Sequence, residues 1–357
     1  MPTSNHTFSQ RLLDWFDQHG RKDLPWQHPR SAYRVWISEI MLQQTQVKTV
    51  IPYFLRFIEQ FPDVQSLASA SEDHVLSHWS GLGYYSRARH LHLAAKKIHA
   101  EHKNEFPRDL ETLITLPGIG PSTAAAIASL AFNQQTAILD GNVRRVLSRY
   151  FRVDGQASLA HVKQTYWNWA AACMPSTRCA DYTQAIMDLG ATCCTPKKPD
   201  CVACPLQTTC QAFQHKVVND YPNKPVKKTL PIQRQQFLLL HTGQDLIYLE
   251  KRPSSGLWGG LWCLPSVDMD VDPSTYIDET YRLQTIEARE LMTIKHSFSH
   301  YHLHILAWSL QHHAGETASD ECSGRWFHAA EIQNIGVSTP VSKIIDRFLT
   351  LQTRASP

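Results

Sequence analysis

Leu116-Pro117-Gly118-Ile119-Gly120-Pro121-Ser122, followed by the small-residue run Thr123 to Leu130 and then by Asp140-Gly141-Asn142, is the stretch from which the rest of the chain is read. Gly118 and Gly120 permit positive φ, and Pro121 stands where a helix begins without losing a useful N–H. The segment therefore reads as a tight hairpin feeding a helix N-terminus. Several backbone N–H groups then face outward at the positive end of a helix dipole, which makes an anion cradle. The helix that follows is almost all Ala, Ser and Ile, so its neighbours can approach closely. An ordinary helix-helix turn uses the same residues, since a short glycine motif alone is weak.

Working outward, the 357-residue chain is long enough for two domains. No window approaches the roughly 18 apolar residues of a membrane span. Met1 to Ser9 carries no signal-peptide apolar run, so a cytoplasmic protein without membrane contact is expected. The net charge of +3 hides an asymmetry. Residues 1–230 hold 25 basic against 18 acidic side chains, whereas residues 231–357 hold 10 against 14. The first part is thus the candidate nucleic-acid face, although basic surfaces are often only solvated.

Phe8 to His19 has helical spacing with Gly20 as its stop. The basic loop Arg21 to Trp26 follows, where Trp26 reads either as a platform for a base or as a core plug. From Tyr33 to Leu42 the residues Val35, Trp36, Ile40 and Met41 form an apolar helical face with Glu39 among them. A carboxyl in such surroundings has a raised pKa and can serve as a general acid near neutral pH; on a helix edge it would be only a surface charge. Gln43 to Gln46 is a polar patch able to hydrogen-bond base edges. Further helices are expected at Val50 to Phe61, Glu72 to Ser80, Ser86 to His102, Ser122 to Leu130 and Val143 to Tyr150. Between two of them, Gly81 to Arg89 combines hinge glycines, paired tyrosines and two arginines. It reads as an aromatic wedge with phosphate ligands or as a packed helix connection.

Nine cysteines are present, six of them between Cys179 and Cys210. Clustering of this kind points to metal rather than to a secreted disulfide framework. Cys194-x6-Cys201-x2-Cys204-x5-Cys210 suits either zinc or an iron-sulfur cluster. Zinc sites usually pair cysteines in two short knuckles, and the first gap here is six, which favours a 4Fe-4S cluster. Beyond it, Val218 to Gln233 reads as a linker with three prolines and no apolar period. Strands are expected at Gln236 to His241, Leu246 to Lys251, Glu290 to Phe298 and Tyr301 to Leu310, with Thr242-Gly243 as a turn and Val341 to Leu351 as a closing helix. Phe298-Ser299-His300 falls at a hairpin tip. The alternation of His300, His302 and His304 is taken as strand patterning rather than a metal site.

Leu24-Pro25-Trp26, Ser38 to Gln46, Gly81 to Tyr85, Leu116 to Gly120, Leu139 to Val143, the four spaced cysteines, Gly256 to Leu261 and Phe298 to His300 together resemble the MutY-type adenine DNA glycosylases. These belong to the helix-hairpin-helix superfamily that also contains endonuclease III. The resemblance implies an α-helical helix-hairpin-helix glycosylase domain over 1–217, with an iron-sulfur module at about 190–213. A linker over 218–233 and an α/β Nudix-like lesion-recognition domain over 234–357 follow. It implies base excision repair on double-stranded DNA carrying adenine opposite 8-oxoguanine or guanine, by a monomer holding a 4Fe-4S cluster on Cys194, Cys201, Cys204 and Cys210. Glu39 is implied as general acid and Asp140 as the ionised partner of the sugar. Leu24 and Trp26 are implied at the adenine pocket, and Gly118, Gly120, Ser122, Gln44, Tyr84 and Asn142 at the DNA. Phe298, Ser299 and His300 are implied as sensors of 8-oxoguanine. Bifunctional relatives carry a Lys where this chain has Ser122, which implies base removal without strand cleavage. The glutamate-rich magnesium signature of Nudix hydrolases does not appear between Gly256 and His296. Two competing readings are a Nudix nucleotide hydrolase fused to a DNA-binding domain, and a non-catalytic DNA-binding redox sensor.

Overall fold

The apolar spacing read in the sequence closes into helices in the computed structural model, which describes residues 3–223, 229–242, 245–313 and 324–355. In chain order these are α1 (Thr3–His19), α2 (Ala32–Leu42), α3 (Val47–Gln60), α4 (Val64–Ser69), α5 (Glu72–Trp79), α6 (Ser86–His102), α7 (Leu110–Ile114), α8 (Pro121–Phe132), α9 (Gly141–Phe151), α10 (Ala160–Cys173), α11 (Cys179–Asp188) and α12 (Gln211–Gln214). The second half adds strands β1 (Ile232–Thr242), β2 (Leu246–Lys251), β3 (Trp262–Cys263), β4 (Ser266–Val267), β5 (Thr285–Ser297), β6 (His302–His312) and β7 (Gly324–His328). It also adds helices α13 (Pro273–Tyr281) and α14 (Thr339–Ala355).

Contacts group the chain into two units, one of Met1–Ala68 with Leu93–Lys227, the other of Ser69–His92 with Lys228–Pro357. Packing thus assigns α5 and the glycine-tyrosine loop to the second unit, although by sequence they lie inside the stretch expected as the first domain. The stretch expected as the linker holds some regular structure at its two ends. Val218 to Asp220 forms a 3-10 turn, and β1 already begins at Ile232. Residues 224–228 of that stretch, and Gly243 of the expected turn, lie outside the described residues.

In the first unit α8 is the buried centre. Its residues from Thr123 to Leu130 are all covered, and α2 and α11 both pack on it. Alanines make this possible, because a side chain of one carbon lets helix backbones approach without steric conflict. The loop after α1 is tied down by charge. Asp188, fully buried at the end of α11, accepts hydrogen bonds from the Arg21 backbone N–H at 2.7 Å and from its guanidinium at 2.9 and 2.6 Å, with a fourth from Gln184 at 2.8 Å. A buried carboxylate is tolerated only when its oxygens are satisfied in this way.

In the second unit the sheet runs β3-β2-β1-β6-β5, with β4 on β1 and β7 on β2. β1 and β6 pair in parallel from Ile232 opposite His302 to Thr242 opposite His312. The other pairings are antiparallel. One core cluster gathers Leu238, Leu240, Tyr248 and Leu310 with Ile277 and Tyr281 of α13. On α14, Val341, Ile344, Ile345 and Phe348 are buried, with Phe348 against the His241 ring at 4.4 Å. The turn from β5 to β6 puts Phe298, Ser299 and His300 at a tip closed by the Phe298 N–H bond to the Tyr301 carbonyl at 2.9 Å. That tip is where the sequence placed it.

Candidate active site and cysteine module

The hairpin lies between α7 and α8, where the Ile119 N–H bonds the Leu116 carbonyl at 3.1 Å. Only Gly118 has the left-handed backbone expected of both glycines, with φ of 77°. Gly120 is extended (φ −86°, ψ 174°) and is the N-cap of α8. A Cβ added to Gly120 would meet nothing within 4 Å. Nothing in the protein itself therefore demands a glycine there, whereas a ligand approaching the backbone would. The first N–H groups of α8 have no intrahelical acceptors, which leaves them available to an anion.

Ser122, at the exit of the hairpin, accepts a hydrogen bond from the Leu139 N–H at 3.1 Å. It thereby holds the chain immediately before Asp140. Asp140 is the N-cap of α9, accepting from the Val143 N–H at 2.7 Å, while its other oxygen accepts from the Asn142 amide at 3.0 Å. Capping explains an Asp at this position and at the same time stabilises its charged form. Burial raises the Asp140 pKa above the ordinary value, and these hydrogen bonds with the Arg145 charge oppose the rise. Glu39 on α2 is a close electrostatic neighbour. Burial chiefly, and the Asp140 charge second, push its carboxyl up to about 8. Two carboxyls are thus held in unlike environments, Glu39 raised chiefly by burial and Asp140 raised by burial against opposing hydrogen bonds.

The arginines of α9 were not singled out in the sequence, and they join Asp140 to the cysteines. Arg145 donates to the Asn142 carbonyl oxygen of the side chain at 2.8 Å, to the Cys194 backbone carbonyl at 2.7 Å and to the Gly190 carbonyl. Gly190 has to be small, since a Cβ there would stand 2.6 Å from that of Asn142. Arg149, 2 % exposed, donates to the Cys194 sulfur at 3.2 Å, to the Thr195 carbonyl at 2.8 Å and to the Tyr221 and Val218 carbonyls at 3.0 and 3.1 Å. The sequence signal was only an Arg pair four residues apart on one helix face, which is also how a solvated face reads. Cys194, Cys201, Cys204 and Cys210 all line one small cavity with Arg149, Tyr150 and Leu206. Among the described residues, no three His, Cys, Asp or Glu side chains are grouped as ligands of a single ion.

Leu24 and Trp26 are buried, and the Trp26 ring meets Phe54 edge-on at 5.5 Å. Gln44 and Tyr84 are exposed and share an unusual feature, left-handed backbone in residues other than glycine, with φ of 59° and 49°. Such conformations cost energy and concentrate at functional positions. The two arginines read as phosphate ligands of the wedge loop are engaged within the protein instead. Arg87 is buried and donates to the Leu82 and Gly83 carbonyls at 3.3 and 3.1 Å, and Arg89 donates to the Gly259 carbonyl. Within the second unit, Tyr84 shares a cleft of about 610 Å³ with Trp258, His296 and the Phe298–His300 tip.

A hairpin feeding a capped helix beside a carboxyl pair places the first unit among the helix-hairpin-helix DNA glycosylases. Residues 37–172 match the HhH-GPD superfamily of base excision DNA repair proteins, and residues 236–347 match the NUDIX domain. The adenine DNA glycosylase of Buchnera aphidicola (subsp. Schizaphis graminum) is 37% identical over 344 residues, which cover 96% of this chain and 99% of the relative. The mouse adenine DNA glycosylase is 36% identical over 400 residues, covering 96% of this chain and 78% of the relative. The chain belongs to the adenine DNA glycosylase family, and it is an enzyme of that class. Among solved structures, a thermostable thymine-DNA glycosylase superposes with a TM-score of 0.54 at 27% identity over 59% of this chain and 97% of its own. Endonuclease III in a DNA complex shares the fold, with a TM-score of 0.52 over 60% of this chain and 98% of its own at 19% identity. Among the described residues, no helix is long and apolar enough to cross a membrane.

The two hairpin glycines should separate in a thermal melt. Gly118→Ala, forced into the left-handed region, should lose about 1–2 kcal/mol. Gly120→Ala, which meets no clash but puts a poorer residue at the N-cap of α8, should lose clearly less than Gly118→Ala; a larger loss would contradict the open surroundings of Gly120.

Proposed function

We propose that this protein excises adenine lying opposite 8-oxoguanine or guanine in duplex DNA and leaves an intact strand with an abasic site. The observation that carries the reading is the carboxyl pair, with Glu39 pushed up to about 8 and Asp140 capped by donors. Extruded adenine receives the Glu39 proton at N7, and the C1′–N9 bond breaks with its electron pair passing to the base. The Asp140 carboxylate stabilises the cationic sugar. Water then adds to C1′ and gives its proton to the Glu39 carboxylate, which restores the acid. Ser122 supplies no amine for attack on C1′, and its hydroxyl is engaged by the Leu139 N–H. The chain's likeness to adenine glycosylases over nearly its full length supports this reading over a nucleotide hydrolase or a redox sensor.

Gly118, Gly120 and the start of α8 would grip the backbone of the strand carrying the extruded nucleotide. Gln44 and Tyr84 would fill the disturbed stack. The Phe298–His300 tip would read the base opposite, with Ser299 distinguishing the N7–H donor of 8-oxoguanine from the N7 acceptor of guanine. Cys194, Cys201, Cys204 and Cys210 fit a 4Fe-4S cluster, since all four line one cavity and Arg149 offers positive charge to the Cys194 sulfur. When bound, such a cluster ties four chain positions together and provides a one-electron centre.

Single-turnover excision at saturating enzyme should be flat through neutral pH and fall about tenfold per pH unit above about 8, because the reaction needs Glu39 protonated. Glu39→Gln should lose about a thousandfold. A fall centred on the ordinary carboxyl value of 4.5 overturns the assignment, and so does efficient strand nicking without alkali. Replacing Ser299 and His300 together by Ala should abolish the preference for 8-oxoguanine over guanine; an unchanged preference removes the tip from recognition. Cys201→Ser should bleach the iron-associated visible absorbance of the purified protein, and retention of that absorbance at full strength excludes the four-cysteine assignment.

A further inference from the structure

Discrimination between 8-oxoguanine and guanine depends on small displacements of the Ser299 hydroxyl, so whatever holds the tip in place bears on specificity. Phe298 is the tip's half-buried anchor. Its ring lies 5.6 Å from that of Trp258 and 4.6 Å from that of His296, and Trp258 also reaches His296 at 5.9 Å. Trp258 in turn is held in a left-handed backbone with φ of 53°, at the start of a tight turn in which the Leu261 N–H bonds the Trp258 carbonyl at 3.0 Å. Neither following residue has space for a side chain. A Cβ on Gly259 would stand 2.6 Å from the Ser254 carbonyl oxygen. One on Gly260 would stand 2.9 Å from the Glu72 carboxylate and 3.4 Å from the Arg89 stem. The guanidinium of Arg89 donates to the Gly259 carbonyl, in the peptide that joins the two glycines directly after Trp258.

We infer that Arg89 is a positioning residue for the choice of opposite base, acting through Gly259 and Trp258 on the Phe298–His300 tip. The inference rests on the reading of that tip as the 8-oxoguanine sensor. Arg89 lies at the start of α6, directly after the Tyr84 loop, and the same part of the chain is bonded elsewhere to the sheet part of that unit. The Tyr85 hydroxyl donates to the Val337 carbonyl at 3.1 Å, and Lys251 pairs with Asp73 at 2.9 Å. The residue that fills the stack and the residues that read the lesion are thereby built on one frame, with Arg89 as the tie nearest the sensor. A charge-assisted bond to a peptide carbonyl fixes the turn more firmly than a neutral one.

The test measures duplex binding in the Glu39→Gln background, where substrate is not consumed, alongside single-turnover excision in the active enzyme. Arg89→Met should weaken binding of the adenine:8-oxoguanine duplex about tenfold and that of the adenine:guanine duplex about twofold or less, as expected from one lost charge-assisted bond. The rate constant at saturating enzyme should stay within about twofold, since the chemistry is carried by other residues. Arg89→Lys, which keeps one donor, should restore most of the preference. Equal losses on both duplexes, or a preference that Arg89→Met leaves intact, overturn the inference. If the Ser299 and His300 double change collapses the preference while Arg89→Met does not, the sensor reading stands and only the role of Arg89 falls.

Discussion

A guanidinium taken out of water needs an acceptor for nearly every N–H, and Arg149 finds them on two separate pieces of chain. Its bonds to Thr195 and to the Cys194 sulfur hold the start of the cysteine loop, and those to Val218 and Tyr221 hold the segment that leaves it. One buried side chain thus closes a loop of some two dozen residues around a cavity lined by four thiols. Removing such a partner leaves buried acceptors and charge uncompensated, which is costly. One turn earlier on α9, Arg145 repeats the arrangement toward Gly190 and Asn142. The helix that begins at Asp140 is therefore clamped along its length by the cysteine module, and the carboxylate at its tip inherits that rigidity.

Asp140 serves two ends with one side chain. As a cap it satisfies the first turn of α9, and in the proposed reaction its oxygens, held by Val143 and Asn142, would stay turned toward the sugar. Glu39 is the opposite case. Burial, with the Asp140 charge beside it, raises its pKa to about 8, so it keeps its proton through neutral pH. The division of labour follows from where each residue sits on its helix: one at an N-terminus rich in N–H groups, the other in the middle of a face that has none free.

Much of this was legible in sequence because the signals were local. Helical spacing located α2, α6, α8 and α9 within a residue or three, and alternation located β2. Residue type and spacing singled out Glu39 and the four cysteines, while the role expected of Asp140 came from the family resemblance. What escaped were short elements and long-range pairings. α4, β3, β4 and β7 are too brief for a period to show, and β1 was expected four residues shorter at its start than its parallel partner makes it. Arg87 and Arg89 illustrate the second kind of miss. Two arginines beside tyrosines look like phosphate ligands until the fold supplies the carbonyls of Leu82, Gly83 and Gly259. Gly120 shows a third kind, since the glycine is present without the left-handed backbone that glycine usually signals.

The assignment of Ser69–His92 to the second unit bears on how the chain is made. Leu76 of α5 lies against Gly260 and, more closely, against Gly336. Synthesis delivers that partner about 260 residues after the leucine, so α5 emerges from the ribosome long before the surface that covers it. Until then its apolar face has to wait, exposed or screened by something else. A chain cut at the linker would leave Leu76 without the turns at Gly260 and Gly336 that it lies against here.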